Sequence, residues 1–266
     1  MALLQIIVLA VIQGVTEFLP ISSSGHLILV PQLTGWPDQG LPMDVAMHVG
    51  TLVAVLVYFW RDVGSVLTGV VDILRGRRSF GSRLVWGLVV ATIPALAMGL
   101  AMELWVGDAL RSVTVVAWTM VVFAVVLYVA DRLGLTINRM EHLTIGHAVF
   151  IGLAQALAFI PGTSRSGITM IAGRILGYER FEAARFSLLL SVPAIAAAGL
   201  YEGLKLYRGG DLSQMQDAMI GGGIAAVAGL ITIAVMMSWL RRATFTPFVV
   251  YRLILGGGLL VWIYLP

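Results

Sequence analysis

The chain has 266 residues, 59% of them hydrophobic and only 12% charged, with a net charge of +3 and a mean hydropathy of +0.95. Soluble domains carry about 25% charge, so this composition excludes a water-soluble globular protein and indicates an integral membrane protein with several spans. The absence of cysteine excludes disulfides and thiolate metal sites, and the basic residues cluster in loops between apolar stretches, which gives a topology signal and no nucleic-acid partner.

In chain order, the start, Met1 to Ala10, lacks a basic region and a clear cleavage site and reads as mature protein. The first apolar segment, roughly 2–33, is interrupted by Pro20-Ile-Ser-Ser-Ser-Gly-His26. Neither half reaches the about 20 residues needed to cross a bilayer, so the segment reads as a re-entrant hairpin. Three stretches long enough to cross follow, roughly 44–61, 83–105 and 113–131. A second interrupted segment, roughly 144–177, is broken by Pro161-Gly-Thr-Ser-Arg-Ser-Gly167, and three further spans follow at roughly 183–204, 217–239 and 248–265.

The expected fold is therefore all-α and integral to the membrane: six transmembrane helices plus two re-entrant helix-loop-helix hairpins. It forms one membrane domain over 1–266, whose halves, about 1–140 and 141–266, share one plan. They also share sequence, Phe18-Leu-Pro20 matching Phe159-Ile-Pro161 and Ser24-Gly25 matching Ser166-Gly167. Three spans are an odd number, so the second half begins on the opposite face, which makes an inverted-topology repeat. Its two hairpins can then meet tip to tip near the midplane.

Arg61, Arg75, Arg77, Arg78 and Arg83 fall on one side, together with Arg132, Arg139, Arg174, Arg180, Arg185, Arg241 and Arg242; Arg111, Lys205 and Arg208 fall on the other. The arginine-rich side is expected to be cytoplasmic. The first hairpin then opens outward and both termini lie outside.

Backbone that breaks its helix at membrane depth is tolerated only where protein buries it or water reaches it. An intramembrane ionisable residue is a functional candidate by default, since a central Arg costs roughly 2.5–3.5 kcal/mol. In the first hairpin Gln13 and Glu17, spaced i, i+4, share a helical face. Ser22, Ser23 or Ser24 can cap the returning helix, and a helix start with hydroxyls and a nearby cation favours phosphate. His26 lies three residues beyond Ser23, where an imidazole could take a hydroxyl proton. In the second hairpin Arg165, flanked by Ser164 and Ser166, offers a planar fork for two phosphate oxygens, which suits phosphoryl transfer.

Candidate substrate contacts are Ser22, Ser24 and Gly25 in the first turn and Thr163, Ser164, Ser166 and Gly167 in the second. Glu17 beside phosphate calls for a divalent cation, Mg²⁺ or Ca²⁺, with Gln13 as a neutral oxygen donor. His48, on an apolar span, reads as a packed core residue, and Glu103 and Arg252, near span ends, as snorkelling side chains. Gly221 to Gly223 and Gly256 to Gly258 read as close helix contacts or the face of a homodimer. Arg75 to Arg78 reads as a topology determinant first and an anionic-lipid contact second. No nucleotide-binding loop occurs.

On Gln13-Gly-Val-Thr-Glu17-Phe-Leu-Pro-Ile-Ser-Ser-Ser-Gly-His26 and Pro161-Gly-Thr-Ser-Arg-Ser-Gly167, the chain resembles the undecaprenyl pyrophosphate phosphatase family of bacterial membranes, the bacitracin-resistance type. The first motif carries Gln at the family's first acidic position, and the second fits without departure. The resemblance implies hydrolysis of the C55 isoprenyl pyrophosphate to its monophosphate in the bacterial inner membrane. That recycles the lipid carrier of peptidoglycan synthesis and gives resistance to bacitracin. By position it also implies Glu17, Ser23, His26 and Arg165 as the catalytic residues. Type-2 phosphatidic acid phosphatases use similar Ser-Gly-His and Ser-Arg motifs, but they need a histidine after the arginine, and none follows Arg165. The alternative is an inverted-repeat transporter or flippase of a polyprenyl phosphate lipid, which would need the site to open to both faces but would need no hydroxyl beside a base.

Overall fold

A computed structural model describes residues 2–37, 39–105, 110, 112–209 and 212–265, without the side chains at 41, 103, 198, 201–209 and 212–214. Arg111 and the side chains of Glu103, Lys205 and Arg208 therefore lie outside the described residues. Among the described residues the chain is all-helical apart from an isolated bridge between Asn138 and Tyr178. The helices are α1 (Leu3–Thr16), α2 (Ser23–Thr34), α3 (Leu41–Tyr58), α4 (Trp60–Leu74), α5 (Phe80–Trp105), α6 (Val113–Leu133), α7 (Ile145–Ala156), α8 (Arg165–Ile175), α9 (Arg180–Gly209), α10 (Leu212–Leu240) and α11 (Thr246–Tyr264).

Four stretches are long and apolar enough to cross a membrane: Phe80–Met102, Val113–Leu133, Met215–Leu240 and Thr246–Tyr264. A fifth forms if Pro42–Tyr58 and Trp60–Leu74 count as one span bent by 86°. The expected span at 183–204 lies in α9, which has 30 residues but is not among these. The stretch after residue 61, expected as a loop, is helical instead. Phe59 ends α3, and Arg61, Asp62 and Asp72 share α4 with exposed Leu67 and Leu74. A helix of that amphipathic make-up is at home along the membrane interface. Outward-facing apolar residues such as Val125, Ile231 and Ile254 suit a lipid environment.

The interrupted segments fold as two short helices joined by a turn. At 1.5 Å per residue, the 14 residues of α1 and 12 of α2 reach roughly 21 and 18 Å, well short of the about 30 Å hydrocarbon core. The turns share one conformation. Ser22 (φ 73°) and Ser164 (φ 75°) are the only described non-glycine residues at positive φ, and each caps its returning helix. Ser22 Oγ accepts from Gly25 N at 3.2 Å and Ser164 Oγ from Gly167 N at 3.0 Å. Such backbone costs about 1–3 kcal/mol and persists only where its surroundings impose it.

Packing is reciprocal. α1 lies on α10, and α7 lies on α5. α3 crosses α10 so closely that a β-carbon at Gly50 would sit 2.0 Å from Gly222 O, a spacing only glycine permits. Of the two glycine triplets, Gly221, Gly222 and Gly256 meet neighbouring helices of the same chain, while Gly223, Gly257 and Gly258 face open space.

Candidate active site

The two turns meet in the interior. Ser166 Oγ donates to Leu19 O at 3.0 Å, across from one hairpin to the other. Arg252, on α11 and 1% exposed, binds both tips at once. Its guanidinium donates to Pro20 O (3.1 Å) in the first turn, to Gly162 O (2.9 Å) and Thr163 O (3.0 Å) in the second, and to Thr119 O (3.1 Å) and Met120 O (3.2 Å) on α6. It does not snorkel, as its place near a span end suggests. Five carbonyl dipoles hold the buried charge because the turn carbonyls, having left their helices, need donors.

At this meeting point Glu17, 6% exposed, gathers three donors and a histidine. Ser23 Oγ donates to Oε2 at 2.6 Å and Gln13 Nε2 to Oε2 at 3.0 Å. Arg165 Nη2 donates to Oε1 at 2.8 Å, and His48 Nε2 lies 3.3 Å from Oε2. His48 Nδ1 sits 2.7 Å from Asp44 O; donating there, it leaves Nε2–H for Glu17 only if the ring is protonated. The second guanidinium arm of Arg165 reaches Ser187 O at 3.3 Å. The carboxylate charge is thus balanced by Arg165 from the opposite hairpin. A buried pair of this kind adds little stability but stores a cation at the spot where an anionic substrate would arrive.

Glu17, Ser22, Ser23, Ser24, His48, Ser164 and Arg165 border one cavity of about 690 Å³, within the range of small-molecule sites. Gln155 borders it too. Its Nε2 donates to Ala91 O at 3.2 Å, while its buried Oε1 has no partner. The rest of the wall is apolar and reaches the outer surface at Leu96 (52% exposed), Leu100 (58%) and Phe159 (42%).

The remaining expected site residues sit elsewhere. His26 does not border the cavity. Its Nδ1 is 2.7 Å from Ser22 O and its Nε2 is 2.6 Å from Tyr251 OH, and its ring stacks on Tyr251 with centroids 5.7 Å apart. The group in contact with the Ser23 hydroxyl is therefore Glu17, not His26: a residue one helical turn along points away from Ser23 as readily as toward it. Thr163, Ser166, Gly25 and Gly167 lie behind the turns as framework. Thr163 is fully buried with Oγ1 unpartnered, and Gly25 and Gly167 supply the capped N–H groups.

His48, Gln155 and Arg252 were not anticipated as site residues. An ionisable residue within a span was the available signal for His48 and Arg252. For Gln155 it was the repeat, since the spacing that takes Ser22 to Ser164 takes Gln13 to Gln155.

Among the described residues no group of three or more His, Asp or Glu could hold a metal. The donors that do fit a hard divalent ion are Glu17 and Gln13. Gln13 is fully buried with Oε1 unpartnered, and turning its amide by half a rotation would bring that oxygen to the Glu17 side. One carboxylate, one amide oxygen and substrate phosphates match the way Mg²⁺ is usually held.

Residues 6–258 match the family model described as Bacitracin resistance protein BacA. The chain is 50% identical over 265 residues to Undecaprenyl-diphosphatase of Hahella chejuensis, with 99% of each chain covered. It is 48% identical over 272 residues to Undecaprenyl-diphosphatase 1 of Rhodospirillum rubrum, covering 100% of this chain and 96% of that one. To Undecaprenyl-diphosphatase of Saccharophagus degradans it is 47% identical over 264 residues, covering 98% and 99%.

Proposed function

The chain belongs to the bacitracin resistance protein family, and from that footing we propose that it hydrolyses undecaprenyl pyrophosphate to undecaprenyl phosphate and inorganic phosphate. This recycles the lipid carrier of cell-wall synthesis and confers bacitracin resistance. One observation carries the reading: a single carboxylate, Glu17, holds a hydroxyl from its own hairpin and a guanidinium from the other, in a cavity that opens sideways onto apolar surface. The pyrophosphate occupies the polar end, and the isoprenoid chain leaves past Leu96, Leu100 and Phe159 into the lipid.

When pyrophosphate enters, Arg165 turns its fork from Glu17 to the phosphate oxygens, and Glu17 is freed to accept a proton. Ser23 Oγ attacks the terminal phosphorus as its proton passes to Glu17. The bond from that phosphorus to the bridging oxygen breaks, and Glu17 passes the proton to the departing lipid phosphate. Water then attacks the phosphoserine phosphorus, giving a proton to Glu17, which returns it to Ser23 Oγ as inorganic phosphate leaves. His48 steadies the Glu17 carboxylate throughout, and His26, held by Ser22 O and Tyr251, keeps the first turn of α2 in shape. A divalent cation, Mg²⁺ or Ca²⁺, held by Glu17 and Gln13 would supply positive charge against the phosphoryl oxygens.

The wider plan proposed is six crossings and two re-entrant hairpins in an inverted repeat of halves 1–140 and 141–266. The equal strain at Ser22 and Ser164 supports it, as does the exchange in which α1 packs on α10 and α7 on α5, each hairpin resting on the second long span of the other half. With the arginine-rich loops cytoplasmic, the site opens to the periplasm or exterior and both termini lie outside.

The deciding experiment follows phosphate release by the purified protein from C55 or C15 pyrophosphate in Mg²⁺, Ca²⁺ or EDTA. Release is expected with metal and not with EDTA, and Ser23→Ala should lower turnover by orders of magnitude with an unchanged unfolding midpoint. No release under any condition would sink the hydrolase reading. If Ser23→Ala keeps most activity while His26→Ala abolishes it, the nucleophile is His26.

A further inference from the structure

We propose a second ligand site, one for the head group of an anionic phospholipid, in the pocket where the α4–α5 turn meets the start of α7. The pocket has a volume of about 420 Å³, with Arg77, Arg78 and Arg83 on its rim and Trp86, Leu143 and Ile145 among its apolar wall. None of the three arginine side chains makes an ion pair or hydrogen bond among the described residues, and none is among those whose interactions go unspecified. Three unpaired guanidinium groups at one mouth are a concentrated phosphate-binding set.

The pocket is built rather than incidental. A β-carbon at Gly69 would lie 2.2 Å from the Gly81 carbonyl carbon, so α4 and α5 touch backbone to backbone beside it. Ser79 and Ser82 exchange bonds across the turn, Ser79 N donating to Ser82 Oγ at 2.8 Å and Ser82 N to Ser79 Oγ at 3.1 Å. Arg185 fixes the start of α4 through Asp62, Nε to Oδ2 at 3.1 Å.

Two features select a lipid over a soluble anion. α4 leaves α3 at 86° with Leu67 and Leu74 exposed, and Trp86, 49% exposed, sits beside the arginines as aromatic residues do at head-group level. Both place the pocket in the interface. From Arg83 to Ala95, where α5 reaches the Ser23 cavity, the helix rises roughly 18 Å, close to the depth of one leaflet. Acyl chains below a head group held at Arg83 would therefore lie along α5 and α7. Basic pockets between membrane helices hold lipid phosphates in this way.

The test uses the full chain purified in neutral detergent, with short-chain phosphatidylglycerol, short-chain phosphatidylcholine or inorganic phosphate added. Retained lipid is read by native mass spectrometry and stability by thermal unfolding. At about 1 kcal/mol per arginine, three arginines predict retention of phosphatidylglycerol on the order of 100-fold over phosphatidylcholine, less at high salt. The preference should vanish in R77Q/R78Q/R83Q and persist in R61Q/R132Q/R242Q, which removes equal charge elsewhere on the arginine-rich side. Phosphate release from C15 pyrophosphate in detergent should be unchanged in both. Loss of preference in both variants would make it general surface charge and overturn the site. Stabilisation by inorganic phosphate equal to that by phosphatidylglycerol would overturn the lipid assignment. If the triple variant fails to fold, wild-type retention decides: equal uptake of the two lipids refutes the proposal.

Discussion

Replacing Arg252 by Leu removes a side chain that, from outside the two hairpins, bonds both of their tips. Of its five acceptors, Thr119 O and Met120 O lie inside α6 and keep their helical partners. Pro20 O, Gly162 O and Thr163 O lie in the turns and, among the described residues, accept only from Arg252. A buried carbonyl stripped of its donor costs about 1–3 kcal/mol, so three give about 3–9 kcal/mol. Relief from burying the charge offsets part of that, and the cost of breaking a buried charge interaction is typically about 3–5 kcal/mol. We expect a loss of about 4 kcal/mol. At about 2–4 °C per kcal/mol for a chain of this size, that lowers the unfolding midpoint in detergent by about 8–16 °C. Because the same bonds register the Ser23 turn against the Arg165 turn, kcat measured well below the midpoint should also fall steeply. Arg252→Lys, whose three donors sit at one point, should recover only part of either loss. A Leu variant that melts within a degree or two of the wild type and hydrolyses normally would refute the idea that this guanidinium holds the tips together.

The Arg165→Lys variant keeps the charge but not the two-armed geometry that spans Glu17 and Ser187. It should lose most phosphatase activity, and a near-normal rate would leave only a point charge in the role. Sidedness can be read with single cysteines, clean reporters in a chain with none. Pro37→Cys, exposed after α2, should react with an impermeant thiol reagent on intact spheroplasts, and Glu141→Cys, exposed between α6 and α7, only after lysis. The reverse pattern would turn the catalytic mouth inward.

How much of this was legible in the sequence depended on whether the signal was local. Helices too short to cross, broken before Pro20 and Pro161, are set by neighbouring residues, and a pair of short helices joined by a turn stands at each place. That Glu17, Ser23 and Arg165 share a cavity followed from two breaks at equal places in similar segments. The partner of Ser23 did not. Spacing along a chain says which residues are near one another, but the direction of the first turn of α2 is fixed by Ser22 at positive φ and by Tyr251, far away in sequence, which draws His26 to the other side. His48 and Arg252 were misjudged for a related reason. A polar residue in an apolar stretch looks like packing until the opposite element is known, and here those elements were the Glu17 carboxylate and the two turns. The arginines thought to mark sidedness also have structural work: Arg174, 1% exposed, donates to Asp131 O (3.2 Å) and Gly134 O (2.8 Å), tying α8 to the end of α6.

The likeness of the two turns gives a reason for the proposed site to draw on both of them. Ser23 and Arg165 hold the same place in their units, each the first residue of its returning helix after a capping serine at positive φ. In one unit that place carries a hydroxyl and in the other a guanidinium, while the carboxylate that binds both comes from the first unit alone, the second having no acidic residue between Gln155 and Pro161. A symmetric pair of turns would present two like groups and could cradle an anion but not attack it. Departure from symmetry at these two places sets a hydroxyl, a carboxylate and a guanidinium around one point, the set that the proposed reaction uses. The framework behind them, Ser22 with Ser164 and Gln13 with Gln155, remains matched, and it is that matched framework, clamped by Arg252, that brings the unlike residues into register.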